Sequence, residues 1–352
     1  GARMSRSELK KFILNNRESL VEKIMDEQLQ LMPNLKTDYN SAVIKKSKSY
    51  TASNLNYLAQ AVYIDEKNIF VNYYNWLYTV LKERGIGIEV LNNHLLAIKN
   101  VFSLELEPEE FKLIDQILNA AVIKLDNPDN YQQSFIKEEN FLAQKAEDYL
   151  SFLLNMEREK AVQLIMDLVD QGTAIEDIYL NIFQVVQYEI GRLWQLNQIS
   201  IAQEHYATSV TQLAMSQLYP KIFSHLKKGK KVLTTCIGDE LHELGIRMVA
   251  DLLELNGWDT IHLGSNTPVN EILNLLQKKE IDLLAISATL PDQLADSRNL
   301  IKAVRGNKNF AGIKIMAGGR LFMQSDDLWQ KIGADAFAVD AKEAVKVADS
   351  LL

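Results

Sequence analysis

Short apolar segments alternate with amphipathic helical segments over the last third of this 352-residue chain, and this alternation constrains the fold more than any other feature. The predicted strands are 231–237, 260–264, 283–288, 314–317 and 336–339. The predicted helices between and after them are 241–256, 269–279, 294–304, 328–332 and 342–351. Strands separated by helices pair in parallel, because each helix returns the chain to the same end of the sheet. The pattern therefore predicts a C-terminal α/β domain with a five-stranded parallel, Rossmann-like sheet.

Upstream of the predicted sheet, the apolar residues recur at helical spacing. From 5 to 125 the sequence predicts helices alone, and the polar, proline-containing segment 125–130 then breaks the pattern. Four amphipathic segments follow, at 138–156, 160–171, 174–194 and 201–223, and four such helices with short links predict a bundle. We therefore predict three domains: an all-α N-terminal domain at 5–127, a four-helix bundle at 135–226 and the α/β domain at 229–352.

Composition and charge argue against several classes of protein. The formal net charge of −8 disfavours a nucleic-acid-binding surface, so we expect no direct DNA binding. No apolar run approaches the roughly 20 residues that cross a bilayer, and no membrane association is expected. The single cysteine, Cys236, lies in a predicted strand, which excludes a disulfide framework and favours a reducing, cytoplasmic location. We also expect a homo-oligomer.

A histidine follows the first predicted strand, at the end of the sheet where open α/β folds bind ligands. In the segment 239–245, Glu240 can accept a hydrogen bond from the ring nitrogen of His242 that does not face a metal, which would fix the tautomer of a metal ligand. Gly245 lets the backbone approach a bulky ligand closely. Asp239 and Glu243 complete the candidate loop. A lone histidine on a loop is usually structural, and its place after the first strand is what gives this pattern weight.

Two more candidate sets lie at strand ends. Ser287 and Thr289 lie at the end of the third predicted strand, and the pair Gly318 and Gly319 lies at the end of the fourth. Each set alone is an ordinary turn or helix-capping sequence. Because the carboxyl ends of parallel strands meet at one edge of a sheet, both sets are expected to lie near His242.

The bundle carries a third set. Nine residues separate Trp194 from the pair Glu204 and His205. An indole can cover a flat ring system, and a carboxylate can accept hydrogen bonds from ribose hydroxyls. The alternative is that these residues lie on separate helices without a shared role.

Together these motifs resemble the cobalamin-binding photoreceptors, light-sensing regulators in which a helical bundle precedes a Rossmann-like cobalamin domain. The resemblance covers 135–352 and rests on Trp-x9-Glu-His and on Glu-x-His-x-x-Gly, a variant of the Asp-x-His-x-x-Gly motif of methionine synthase and the mutases. It implies that His242 is the lower cobalt ligand and that Ser287 contacts the nucleotide tail of cobalamin. It also implies that the glycine pair leaves space for that tail and that the bundle residues contact an adenosyl group.

The chain departs from that family in two places. The histidine that follows the tryptophan in those regulators is Gln195 here, and no winged-helix DNA-binding domain precedes the bundle. In its place stands the all-α domain, expected to be a sensory or interaction domain and weakly similar to degenerate globin-like domains. Its aromatic stretch at 57–78 and the nearby His94 leave two alternatives open, a tyrosine-bearing helix core or a pocket for haem or a bilin. Without a cysteine in this domain, a bilin could not be held by a thioether bond.

The resemblance implies a sensor that is not an enzyme. It would bind adenosylcobalamin, and methylcobalamin is the alternative cofactor. Photolysis of the cobalt–carbon bond would then signal light to an unknown protein partner. The alternative is a corrinoid protein of a methyltransferase system, in which cobalt accepts and donates a methyl group. A haem- or bilin-binding N-terminal domain can coexist with the sensor.

Overall fold

A computed structural model of the chain describes residues 4–35, 41–129, 133–222, 227–238 and 242–352. The chain divides into two compact units, Gly1–Asn130 and Tyr131–Leu352. The described part of the first unit is all-α. The second unit contains a helical bundle followed by the α/β sheet.

The helices of the first unit are α1 (Arg6–Asn15), α2 (Arg17–Leu31), α3 (Ser41–Ile64), α4 (Asn68–Lys82), α5 (Ile88–Glu105) and α6 (Pro108–Asp126). The start of α1 is a capping box, in which Ser5 and Glu8 each accept a hydrogen bond from the other's backbone N–H. Pro108 opens α6, where its missing N–H would have had no helical partner. Apolar stripes on these helices bury large side chains such as Phe70 and Phe102, so the core of this unit rests on helix-to-helix packing.

The second unit begins with four bundle helices, the third of which is interrupted. They are α7 (Ala143–Leu154), α8 (Arg158–Asp170), α9 (Ile175–Ile178) continued through a π-helical turn (Tyr179–Gln184) into α10 (Val185–Gln195), and α11 (Ile201–Ile222). The π-helical turn lies in the bundle core, where Phe183 packs against the rings of Tyr149 and Tyr179 at 5.7 and 5.3 Å. Such turns insert one extra residue into a helix and re-aim its side chains.

The sheet contains β1 (Lys231–Cys236), β2 (Asp259–His262), β3 (Leu283–Ser287), β4 (Lys314–Gly318) and β5 (Ala336–Ala338), in the order β2-β1-β3-β4-β5. All neighbouring strands are parallel. The helices that alternate with them are α12 (Leu244–Leu255), α13 (Val269–Lys278), α14 (Gln293–Gly306), α15 (Leu328–Lys331) and α16 (Ala341–Leu351). The strand order reverses between β1 and β3, so a crevice opens outside the carboxyl ends of these two strands.

The predicted fold class is confirmed: a five-stranded parallel sheet follows a four-helix bundle and an all-α region. Two predicted helix starts are wrong. Helix α7 begins at Ala143 and not at 138. Helix α12 begins at Leu244 and not at 241, which leaves His242 in the loop. A 3₁₀ turn at Arg320–Gln324, absent from the prediction, follows the glycine pair. The division of the second unit at 226–229 stays a prediction. Within the described ranges, none of the helices is long and apolar enough to span a membrane.

Candidate functional site

A row of small side chains crosses the carboxyl ends of four neighbouring strands, β1, β3, β4 and β5. Parallel pairing sets Ser287 opposite Cys236 on one side and opposite Gly318 on the other, and Ala338 continues the row beyond Gly318. Paired residues point to the same face of a sheet, and this face packs against α12 and α16. The row therefore leaves the strand ends beside the β1–β3 switch point free of bulky side chains.

Gly318 belongs to this row and Gly319 follows it, and only Gly319 is required by a close backbone contact. A Cβ at Gly318 would lie 3.4 Å from the backbone oxygen of Ala338. Gly319 has φ +94°, and a Cβ there would lie 2.4 Å from the backbone oxygen of Ala288 and 2.8 Å from the Ser287 hydroxyl. No other residue fits this position without moving the end of β3.

Thr289 is held through its backbone. Its N–H and that of Leu290 both donate to Oε1 of Gln293, at 2.7 and 2.9 Å. Gln293 is buried in the first turn of α14 and fixes the loop that follows β3. Gln293 was not predicted as a site residue, and the one local signal for it is its position four residues after Thr289 at the strand end.

His242 lies in the loop after β1, two residues before α12, and it is exposed. The predicted hydrogen bond from Glu240 stays a prediction, because Glu240 and Asp239 lie outside the described residues. Gly245, in the first turn of α12, has open space where a Cβ would point. Glu243 is the first residue before α12, and its carboxylate turns toward the loop after β2.

The bundle pair is joined directly. Nδ1 of His205 lies 2.6 Å from Oε2 of Glu204, in the first turn of α11. The other carboxylate oxygen of Glu204 lies 3.4 Å from the Thr208 hydroxyl, which also lies 3.2 Å from Oε1 of Gln187 on α10. The glutamate is thus tied to the bundle interior, while the His205 imidazole is 73% exposed.

Trp194 is half-buried in the last turn of α10. The neighbouring Gln195 is buried, so the position that holds a histidine in the light-sensing regulators faces the protein interior. On the same helix, Tyr188 lies near Asp340, which caps α16 just after β5. Partial burial and this carboxylate raise the pKa of Tyr188. The helix that carries Trp194 therefore reaches the carboxyl end of the sheet.

Two hydrogen bonds fasten the bundle to α12, the helix that begins beside His242. The Tyr179 hydroxyl donates to Asp251 at 2.7 Å, and Arg247 donates to the Ser216 hydroxyl at 3.0 Å. Burial raises the pKa of Asp251 to about 6, although the Tyr179 hydrogen bond and Arg247 oppose the shift. A cavity of about 220 Å³ adjoins this contact.

These residues fit the ligand that the motifs predict. An imidazole is exposed after β1, open space faces Gly245, and small side chains line the strand ends. A flat macrocycle with a long nucleotide tail needs a nitrogen ligand, a free surface and a narrow channel between helix and sheet. The row that contains Ser287 and Gly318 supplies the small side chains of such a channel.

Two parts of the chain match known protein families. Residues 230–348 match a family described as B12 binding domain. Residues 145–219 match a second family that is also described as B12 binding domain. The matches cover the sheet and most of the bundle. The chain is therefore a cobalamin-binding protein, and cobalamin is its corrinoid cofactor.

Several relatives are corrinoid proteins of methanogens. The chain is 29% identical over 168 residues to dimethylamine corrinoid protein 3 of Methanosarcina mazei, over 47% of this chain and 96% of that protein. It is 27% identical over 198 residues to monomethylamine corrinoid protein 1 of Methanosarcina acetivorans, over 54% of this chain and 89% of that protein. The solved structure of the Methanosarcina barkeri monomethylamine corrinoid protein has the same fold, with a TM-score of 0.55 and 23% sequence identity. The structural match covers 60% of this chain and 100% of that chain.

The predicted light sensor is wrong. The relatives described above are named dimethylamine and monomethylamine corrinoid proteins, not light sensors. The physical reason is that the motifs report only how cobalamin is held. They comprise the loop with His242, the small residues at the strand ends and the helical bundle. The same holding residues serve different reactions of the cobalt, so the motifs did not identify the reaction.

Proposed function

We propose that this chain is a corrinoid protein of a methyltransferase system, a carrier that is not itself an enzyme. The observation that supports this proposal best is the length of the match. The match covers 96% of dimethylamine corrinoid protein 3 of Methanosarcina mazei, so nearly the whole of that protein has a counterpart in this chain. Its partners would be two methyltransferases, one that loads the methyl group and one that removes it, in the cytoplasm and without DNA.

The residues of the chain would hold the cofactor in three places. His242 would provide the lower nitrogen ligand, because its imidazole is exposed on the loop after β1. Ser287 and the two glycines would hold the nucleotide tail, because the small side chains leave space at the strand ends and Ser287 offers a hydroxyl. Bound cobalamin supplies a cobalt atom that can carry a methyl group between enzymes.

The bundle would cover the opposite face. Trp194 offers an indole beside the carboxyl end of the sheet, and Glu204 holds the exposed His205 in place by a 2.6 Å contact. These side chains would exclude water from the upper face until a partner enzyme reaches it. A methyl group needs less space than an adenosyl group, so we propose methylcobalamin as the working form.

Methyl transfer to a thiol tests the proposal. The protein is loaded with methylcobalamin under red light, freed of unbound cofactor and mixed with a methyltransferase that moves methyl groups from corrinoid proteins to a thiol. We expect methylated thiol to accumulate as the visible spectrum of the methyl form disappears, and no transfer without the added enzyme. Protein loaded with adenosylcobalamin is the control. A rate no higher than that of free methylcobalamin would contradict the proposal.

A second cofactor in the first unit stays a prediction. His94 is buried, and its Nε2 has no hydrogen-bond partner among the described residues, so this atom is the one that would bind haem iron. Haem titration of the full chain tests this idea. A Soret band that is lost in His94→Ala would support it, and the absence of any band in the unaltered chain would contradict it.

A further inference from the structure

We infer that Glu243 and Ser265 form a clamp that positions the loop carrying His242 for cobalamin. The Ser265 hydroxyl donates to Oε2 of Glu243 at 3.0 Å. Glu243 directly follows His242 in the chain, whereas Ser265 lies in the loop after β2. This inference rests on the proposed role of His242 as the lower cobalt ligand.

The direction of the Glu243 side chain supports the clamp. Glu243 is the N-cap residue of α12, a position where the shorter side chains of Ser, Thr, Asp or Asn accept a hydrogen bond from the first turn of the helix. Glu243 makes no such capping bond. Its backbone oxygen accepts from the N–H of Arg247 at 3.0 Å, which starts the helix, while its carboxylate reaches the neighbouring loop. The contact therefore joins two loops and does not serve the helix end.

The loop on the other side is itself anchored to β1. The backbone oxygen of Gly264 accepts from the N–H of Cys236, the last residue of β1, at 2.9 Å. Gly264 has φ +69°, and a Cβ there would lie 3.1 Å from Oε2 of Glu243. A glycine thus lets the carboxylate approach, and Ser265 is placed to donate. The clamp ties the residue after His242 back to the strand that precedes it.

The clamp limits where His242 can point, because the next residue, Glu243, is held through both its backbone oxygen and its carboxylate. The chain leaves β1 at Cys236 and reaches Glu243 seven positions later, and the far end of that segment is held by α12 and by Ser265. Removing the hydroxyl or the carboxylate would free the end that lies next to the imidazole. Residues that hydrogen-bond a metal ligand directly typically contribute about 10- to 100-fold to metal affinity, and a clamp on the neighbouring residue is expected at the lower end of that range.

Hydroxocobalamin binding to the full chain tests the clamp. Equilibrium dialysis gives the affinity, and the visible spectrum reports whether an imidazole is bound to cobalt. We expect Ser265→Ala and Glu243→Ala each to weaken binding about tenfold and to reduce the imidazole-bound fraction. Glu243→Gln keeps an oxygen that accepts the hydrogen bond, so it should recover most of the affinity lost in Glu243→Ala. Circular dichroism confirms that each variant folds.

A matched control exists in the same domain. Ser325 donates to the Asp327 carboxylate at 2.7 Å, a serine–carboxylate pair that involves none of the candidate site residues. Ser325→Ala should bind hydroxocobalamin as the unaltered chain does. If Ser265→Ala does not fold, Ser265→Thr, which keeps the hydroxyl, is compared with Glu243→Ala.

The outcomes separate the clamp from the proposed ligand. If His242→Ala leaves the spectrum and affinity unchanged, the proposed ligand role fails. If His242→Ala removes the imidazole-bound spectrum while Ser265→Ala and Glu243→Ala keep it at full affinity, the clamp is overturned. Glu243→Gln binding as weakly as Glu243→Ala would overturn a clamp based on hydrogen bonding.

Discussion

The stability of the first unit should depend on pH through His94. This residue lies on α5 with its Nδ1 2.8 Å from Oε1 of Gln28. The amide nitrogen of Gln28 donates to the backbone oxygen of Val90 at 3.2 Å, which turns the amide oxygen toward the imidazole. The Nδ1 of His94 therefore carries the proton of a neutral ring. Burial lowers the pKa of His94 from 6.5 to about 4.

The sign of the effect follows from this lowered pKa. The unfolded chain takes up a proton at His94 below pH 6.5, whereas the folded unit resists it until about pH 4. Stability is therefore complete above pH 6.5 and is lost as the pH falls toward 4. The expected loss in unfolding free energy is about 2 kcal/mol between pH 7 and pH 5, and about 3 kcal/mol when both states are protonated.

Native-state hydrogen–deuterium exchange measures this loss where it occurs. Peptides from α5 of the full chain are followed at pH 7 and pH 5, with the rates corrected for the pH dependence of intrinsic exchange. Many carboxylates titrate over the same range, so His94→Gln is measured in parallel. Glutamine does not titrate, and its amide nitrogen can still donate to Gln28. We expect the variant to lose about 2 kcal/mol less than the unaltered chain.

Equal losses in the two proteins would refute the reasoning. They would mean that the imidazole takes up a proton in the folded unit as easily as in the unfolded chain, either because water reaches it or because the neutral ring is not required. A different unfolding free energy of the variant at pH 7 would not bear on the question. Only the change in unfolding free energy between pH 7 and pH 5 reports protonation of the imidazole.

Three further changes have expected outcomes in the second unit. Tyr179→Phe removes the hydrogen bond to the buried Asp251 carboxyl, so urea unfolding at pH 7.5 should show an unfolding free energy lower by about 1–3 kcal/mol. An unchanged urea midpoint would show that this hydrogen bond does not fasten the bundle to α12. Glu189→Ala removes the carboxylate that pairs with the Arg192 guanidinium, and the same assay should show an unfolding free energy lower by about 3 kcal/mol. A decrease below about 1 kcal/mol would argue against a buried ion pair. Gly319→Ala places a methyl group 2.4 Å from a backbone oxygen at φ +94°, so thermal unfolding should shift downward and cobalamin retention on a desalting column should fall; normal retention would show that this turn does not shape the tail site.

The reaction could not be predicted from the motifs that identified the cofactor. The spacing of Trp194 and Glu204, and the histidine after β1, describe groups that can hold a corrinoid. The same set of groups can hold a cobalamin that carries a methyl group or one that carries an adenosyl group, so the motifs leave the reaction open. The methanogen relatives, and not the motifs, corrected the light-sensing interpretation.

The sequence by itself determined the order and type of the elements in the sheet, because the period of apolar residues reports locally which face of a strand or helix is buried. It also determined that His242 follows β1 and that small residues end β3 and β4. Only the tertiary structure decided that Ser287 and Gly318 stand opposite each other in one row. It alone turned the Glu243 carboxylate away from its own helix toward Ser265. Strand register and contacts between loops depend on packing between residues far apart in the chain, and no local pattern records that packing.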